Sequence, residues 1–320
     1  MFKENILLAK YGSYKIGGPA RYFFHAKTDK DIITALKNRN KNDGFFILGG
    51  GTNILFDDNG FDGLVLKPDL KNISVKKNVI IAGAGVLMED LLDFCVEHSL
   101  SGLEWAGGLP GTLGGAVRGN AGAFGGEIKD SVLAVSSIDS SNLKLIKRKN
   151  SQCKFDYRSS VFSAEGACLP VGMACLSGRQ GKEIILSVEL KLKPGDRSTV
   201  KNAIEEKISY RRLRHPIEHF NIGSIFKNVA FDSVSKKHHA LFLKAVKKDP
   251  FPVIPAAFLL SEAGLKGVAL GGAMISPKHP NFIVNVLSAG SADVKNLIAL
   301  AKYKIKKDFQ IELEEEIIYL

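Results

Sequence analysis

The chain has 320 residues, 45% hydrophobic and 24% charged, which excludes a disordered polymer and is too long for one ordinary core, so two or three domains are expected. Lys and Arg total 44 against 33 Asp and Glu, a net charge of +11 that suits either anionic partners or plain solubility. No apolar run reaches the ~18 residues of a membrane helix, the N-terminus carries no secretion signal, and Cys95, Cys153, Cys168 and Cys175 show no CxxC pair or zinc-like spacing.

Those exclusions point to a reducing cytoplasm, with no metal, no disulfide framework and no membrane insertion. No RNP-like aromatic pattern or zinc finger is present, so no nucleic-acid partner is expected. His215, His219, His238, His239 and His279 form no HExxH-like set and read as structural or surface residues.

In chain order, the first region reads as mixed α/β. Ile32, Ile33 and Leu36 predict a helix over 29–40, and a short apolar strand follows over 45–48. The strand runs into Gly49-Gly50-Gly51-Thr52-Asn53. Without Cβ atoms, such a turn can bring backbone N–H groups close to a phosphate, although a tight strand-to-loop turn uses the same residues. It is neither a GxGxxG nor a GxxxxGK[ST] fingerprint. Asp58-Asn59-Gly60 signals a turn, 64–66 a strand, 72–85 paired strands, and 86–98 a helix.

A second glycine-rich run covers 107–115 and continues through 119–126. Two such runs, distant in sequence, could line the two sides of an extended diphosphate, or be loops with no ligand. Asn120 could turn its amide toward a heterocycle or ribose, or cap a turn. Strands are predicted over 132–138 and 183–192, and a helix over 199–212. Arg158, in Tyr157-Arg158-Ser159-Ser160, could clamp a carboxylate or be an ordinary surface arginine. Ser224, in Gly223-Ser224-Ile225-Phe226-Lys227-Asn228, lies in no GxSxG elbow; near Lys227 it could relay a proton or cap a turn.

The last region carries a helix over 256–263, a strand over 282–286, and a helix over 292–306 with Ser291 as its N-cap. A final strand is predicted over 310–319. In it Glu312, Glu314 and Glu316 would share a face, with the possibility that one turns into a cleft.

The order of these motifs resembles the UDP-N-acetylenolpyruvoylglucosamine reductase family nearly end to end. The shared pieces include Lys15-Ile16-Gly17-Gly18-Pro19-Ala20, Leu48-Gly49-Gly50-Gly51-Thr52-Asn53, and Pro110-Gly111-Thr112-Leu113-Gly114-Gly115-Ala116. They continue through Asn120-Ala121-Gly122-Ala123-Phe124-Gly125-Gly126, Tyr157-Arg158-Ser159-Ser160, Gly223-Ser224-Ile225-Phe226-Lys227-Asn228, His279-Pro280-Asn281-Phe282 and Leu313-Glu314-Glu315-Glu316.

The resemblance implies an α+β fold of the vanillyl-alcohol-oxidase type. It would comprise FAD-binding subdomains at 1–68 and 69–200 and a substrate domain at 201–320. It implies reduction of UDP-N-acetylglucosamine enolpyruvate to UDP-N-acetylmuramate, using FAD and NADPH, by a cytoplasmic monomer or weak dimer. Arg158, Ser224 and Glu316 look like the family's catalytic residues. Lys227 and Asn228 fall at substrate-contacting positions. Gly49, Gly50, Gly51, Thr52, Asn53, Gly111, Thr112, Gly114, Gly115, Asn120, Gly122 and Ala123 fall in its cofactor-binding motifs. Tyr210 is the only tyrosine between Arg158 and Ser224, so the chain is similar to the short form without a tyrosine loop. The other readings are a different flavin oxidase or dehydrogenase of this fold, or a basic nucleotide-binding module. The stretches 163–180 and 232–253 have no assigned role.

Overall fold

The computed structural model describes residues 2–163, 182–248 and 251–320. The chain divides into two units. The first comprises Met1–Ile6, Ala20–Gly50 and Phe61–Arg211; the second comprises Leu7–Pro19, Gly51–Gly60 and Arg212–Leu320. The fold is α+β. The linear boundaries expected at 68/69 and 200/201 do not coincide with this division, and the second falls inside the helix Arg197–Arg214.

In the first unit, one sheet orders Lys3–Leu7, Pro19–Ala26, Phe61–Pro68 and Gly44–Ile47. Phe61–Pro68 pairs in parallel with both neighbours. Such a strand buries both faces, which is why it reads as an apolar run rather than an alternating one. Parallel pairing needs a crossover, and the helix Asp29–Asn38 supplies part of it. Thr28 and Asp31 close a capping box at its start, and Ile32, Ala35 and Leu36 are buried.

The other large sheet is antiparallel and orders Leu145–Lys149, Val132–Asp139, Glu183–Lys191, Val79–Gly83 and Ile73–Lys76. Ile80, Ala82, Val135, Val188 and Leu190 pack beneath the helix Met88–Glu97, which contributes Met88, Leu91, Leu92 and Cys95. The strand Leu145–Lys149 has no counterpart in the sequence expectations. It is an edge strand that buries no residue fully, so it lacks an apolar period.

In the second unit, the helix Ser291–Phe309 buries Val294, Leu297, Ile298, Ala301 and Ile305. Its companions are the helix Ala256–Glu262 and a sheet of Ala269–Leu270, Ala273–Ile275 and Ile283–Asn285. Two early segments complete this core. Tyr14 is buried and its hydroxyl donates to the Ile283 carbonyl at 2.8 Å, while Ile54–Leu55 pairs in parallel with Ile318–Tyr319.

Two expectations are corrected here. Ser291 is not the N-cap: Gly290 is, and the Asp293 carboxylate accepts its N–H at 3.0 Å. Ser291 is the first helical residue, and Asp58 accepts both its N–H and its hydroxyl. The expected strand over 310–319 reduces to Ile318–Tyr319 and an isolated bridge at Glu315, because only part of this extended stretch finds partners.

The stretch 163–180 lies outside the described residues apart from Ser163. Within 232–253, Val234, Phe242 and Val253 are core residues, and Phe242 meets Phe309 edge-on at 5.3 Å. These three side chains pack in the core of the second unit.

Candidate active site

The first glycine run leaves its strand at Ile47. Gly49 offers its carbonyl to Lys67 Nζ at 2.8 Å, and burial lowers the Lys67 pKa. A Cβ on Gly50 would lie 2.7 Å from Gly111 Cα, so the two glycine runs touch backbone to backbone within the first unit. Gly51 has φ +66, and a Cβ there would meet the Tyr11 carbonyl at 2.1 Å. Both positions exclude a side chain. Asn53 donates from Nδ2 to the Glu316 carbonyl at 2.9 Å. Among the described residues, none of the five N–H groups of residues 49–53 donates to another backbone group. These bare donors suit a diphosphate.

The second run is not merely a loop. It contains the helix Leu113–Arg118, which Thr112 caps by accepting from Gly115 N at 3.4 Å. Glycine is a poor helix former, but a Cβ on Gly114 would meet Ala84 at 2.9 Å, so close packing replaces propensity. A groove in the first unit is lined by Gly49, Thr112, Gly114, Gly115, Arg118 and Glu183, among others. Glu183 is held by Arg148 and by the Ser137 hydroxyl.

Asn120 is fully buried and takes the turn-capping alternative. Its Nδ2 donates to the Asp156 carbonyl at 2.9 Å, and its Oδ1 accepts from Lys129 N at 3.3 Å. It thereby pins the turn that carries Arg158. Asp156 and Ser159 exchange backbone hydrogen bonds of 3.0 and 3.1 Å, and Arg158 sits between them at φ +54. Gly122 lies against Glu127 and Gly126, where a Cβ would come within 2.8 Å of the Glu127 side chain and 3.0 Å of the Gly126 carbonyl. Ala123 belongs to the short strand Gly122–Ala123. Arg211, which the sequence did not single out, donates from Nε to the Gly107 carbonyl at 2.8 Å. Burial, then the charge of Arg158, lowers the Arg211 pKa.

In the second unit, residues 224–226 form an extended segment with partners on both sides. Ser224 bridges Phe282, and Phe226 bridges Glu315. Ile225 N donates to Asn281 O, and Glu316 N donates to Ile225 O, both at 2.8 Å. Asn281, another residue given no role by the sequence, brackets Phe226 by donating to its carbonyl at 2.9 Å and accepting its N–H at 3.0 Å. Ser224 is half-buried, and its hydroxyl makes no hydrogen bond among the described residues. Glu316 sits on the adjacent segment. Lys227 pairs with Glu314, and Asn228 Oδ1 accepts Ala256 N at 3.2 Å at the start of the helix Ala256–Glu262.

Of the expected C-terminal glutamates, Glu312 and Glu314 are exposed and Glu316 is half-buried. Their neighbour Glu315 is also half-buried, held by Lys302 at 2.8 Å and by the Tyr319 hydroxyl. His279 lies beside Phe282, and burial lowers its pKa to about 4.

Comparison with known proteins follows this division. A sequence model described as an FAD-binding domain matches residues 20–142, and one described as the UDP-N-acetylenolpyruvoylglucosamine reductase C-terminal domain matches residues 215–320. The chain is 34% identical over 313 residues to the UDP-N-acetylenolpyruvoylglucosamine reductase of Caldanaerobacter subterraneus, covering 97% of this chain and 90% of the relative. It is 32% identical to that of Solibacter usitatus, covering 98% and 95%. The crystal structure of UDP-N-acetylenolpyruvylglucosamine reductase from Thermus caldophilus superimposes with a TM-score of 0.74 at 27% identity, covering 100% of this chain and 99% of that one.

Proposed function

Because the chain belongs to the UDP-N-acetylenolpyruvoylglucosamine reductase family, we propose that it reduces UDP-N-acetylglucosamine enolpyruvate to UDP-N-acetylmuramate for peptidoglycan synthesis, with FAD and NADPH as cofactors. When bound, FAD supplies the redox chemistry. The donors at Gly49, Gly50, Gly51, Thr52 and Asn53, with Gly111, Thr112, Gly114 and Gly115, would hold its diphosphate. Gly122 and Ala123, in their short strand, would adjoin the cofactor, and Asn120 braces this part of the chain through Asp156 and Lys129.

Reduction adds a hydride to the methylene carbon of the enolpyruvyl group and a proton to the α-carbon. The electron pair in between collects as an enolate beside the substrate carboxylate. Arg158 neutralises that charge through its guanidinium, and Glu316, protonated, shares it by hydrogen bonding. Ser224 donates the proton from Oγ to the α-carbon and regains one from solvent. Lys227 and Asn228 contact the sugar nucleotide.

The observation that supports this best is the Ser224 hydroxyl, held on a segment bonded from two sides yet not consumed by any hydrogen bond among the described residues. The reading locates the enzyme in the cytoplasm, where both anionic substrates occur, and takes it to act as a monomer or weak dimer. The test is anaerobic: NADPH should bleach the flavin absorbance, and the enolpyruvyl sugar nucleotide should restore it. A colourless protein, or bleached protein indifferent to that substrate, rejects the assignment.

A further inference from the structure

The groove in the first unit contains a charge that the fold does not use. Arg118 closes the helix Leu113–Arg118 and lines the groove with Gly49, Thr112, Gly114, Gly115 and Glu183. Its Nε is buried and has no hydrogen-bond partner among the described residues. Burying a guanidinium nitrogen without an acceptor is costly, so the arrangement calls for an anion or another acceptor.

Glu183 is the obvious candidate, but it is already committed. Arg148 meets it with Nε at 3.2 and 3.1 Å and with Nη2 at 2.5 Å, and Ser137 donates to it at 2.6 Å. The Arg118 backbone is fixed as well, since its carbonyl accepts the Ser160 hydroxyl at 2.7 Å. A fixed backbone, a buried nitrogen without a partner among the described residues and three glycines in an otherwise largely apolar lining leave a place for a phosphate at the guanidinium.

We propose that Arg118 holds a phosphate oxygen of the dinucleotide cofactor through its guanidinium. This rests on the reading that the cofactor is FAD. It assigns the charge in the binding groove to a side chain outside the glycine motifs, which supply only backbone donors.

The experiment uses the full chain stripped of flavin, with binding followed by quenching of flavin fluorescence and by competition with ADP and with adenosine. R118Q should weaken FAD by about 10- to 150-fold, the worth of a hydrogen bond to a charged group. ADP should lose affinity by a similar factor, and uncharged adenosine should lose none. R118K should recover part of the loss and serves as the second probe if R118Q folds poorly by circular dichroism. R118Q binding FAD and ADP as tightly as the unsubstituted chain would overturn the proposal. So would equal losses for ADP and adenosine, which would mean that Arg118 packs against the base. An unsubstituted chain that takes up no FAD would reject the functional reading instead. Arg118 would fall with it only if ADP binding were also absent or indifferent to the substitution.

Discussion

Asn120 in the first unit and Asn281 in the second do similar work by different means. Each is buried, and each spends its side-chain amide on the backbone next to a proposed catalytic residue. Asn281 closes both bonds on one residue, Phe226, as a neighbouring strand would, in a segment already bridged at Ser224 and at Phe226. Asn120 instead ties two separate turns, at Lys129 and at Asp156, and itself adopts φ +42. Ser224 therefore sits in a segment paired on two sides, whereas Arg158 sits in a turn closed by its own Asp156–Ser159 bonds, which the Asn120 amide ties to residue 129.

The contrast can be broken most sharply at the chemistry itself. Ser224→Ala should slow substrate-driven flavin reoxidation by roughly 10²–10⁴, the usual worth of a general acid, and leave NADPH-driven bleaching unchanged. Stopped-flow absorbance measures both phases, and equal losses in the two would remove Ser224 from that role.

The supports come next. Asn120→Ala should cost about 2–4 kcal/mol in urea unfolding, combining two lost hydrogen bonds with the strain of alanine at positive φ. Asn281→Ala should cost less, about 1–3 kcal/mol, because backbone pairing remains. The reverse order would dissolve the distinction between the two amides.

Acidification should reveal the second unit. An unfolded histidine titrates near 6.5, whereas partial burial pushes the His279 imidazole down to about 4. Below about pH 6.5 the unfolded chain binds the extra proton, so stability present above that pH declines as pH falls toward 4 and then levels off. His279→Phe should flatten this part of the stability profile by on the order of 1–3 kcal/mol at pH 4. An unchanged slope would mean that His279 is not the group responsible.

The smallest effect belongs to Glu314→Gln. It removes the partner of Lys227, but the carboxylate is 67% exposed, so stability should change by no more than about 1 kcal/mol. A larger change would mean that Lys227 depends on Glu314 for its position.

Much of this was legible in the sequence because residue type and local geometry agree. The apolar period announced the helix that became Asp29–Asn38, and the glycines marked backbone approaches such as Gly50 against Gly111. What was hidden depends on partners distant in the chain. The helix Leu113–Arg118 was masked by its own glycines, which a propensity reading counts against it. Ser291 looked like a cap, but Asp58, 233 positions earlier, claims its hydroxyl. No local pattern distinguishes Lys67 or Arg211 from ordinary polar residues, and the motifs holding Asn281 and flanking Arg118 do not say what those side chains bond to.

The second unit draws on Leu7–Pro19 and Gly51–Gly60 as well as on Arg212–Leu320. Tyr14 bonds to Ile283, 269 positions later, and Asn53 to Glu316, 263 positions later. A ribosome releases those early pieces long before their partners exist. They must wait, unsatisfied, while the first unit's strands emerge around them. Final assembly of the serine-bearing half therefore waits until Ile318–Tyr319 have emerged, and a gene split at codon 212 should give a C-terminal fragment that aggregates unless supplied with the earlier piece.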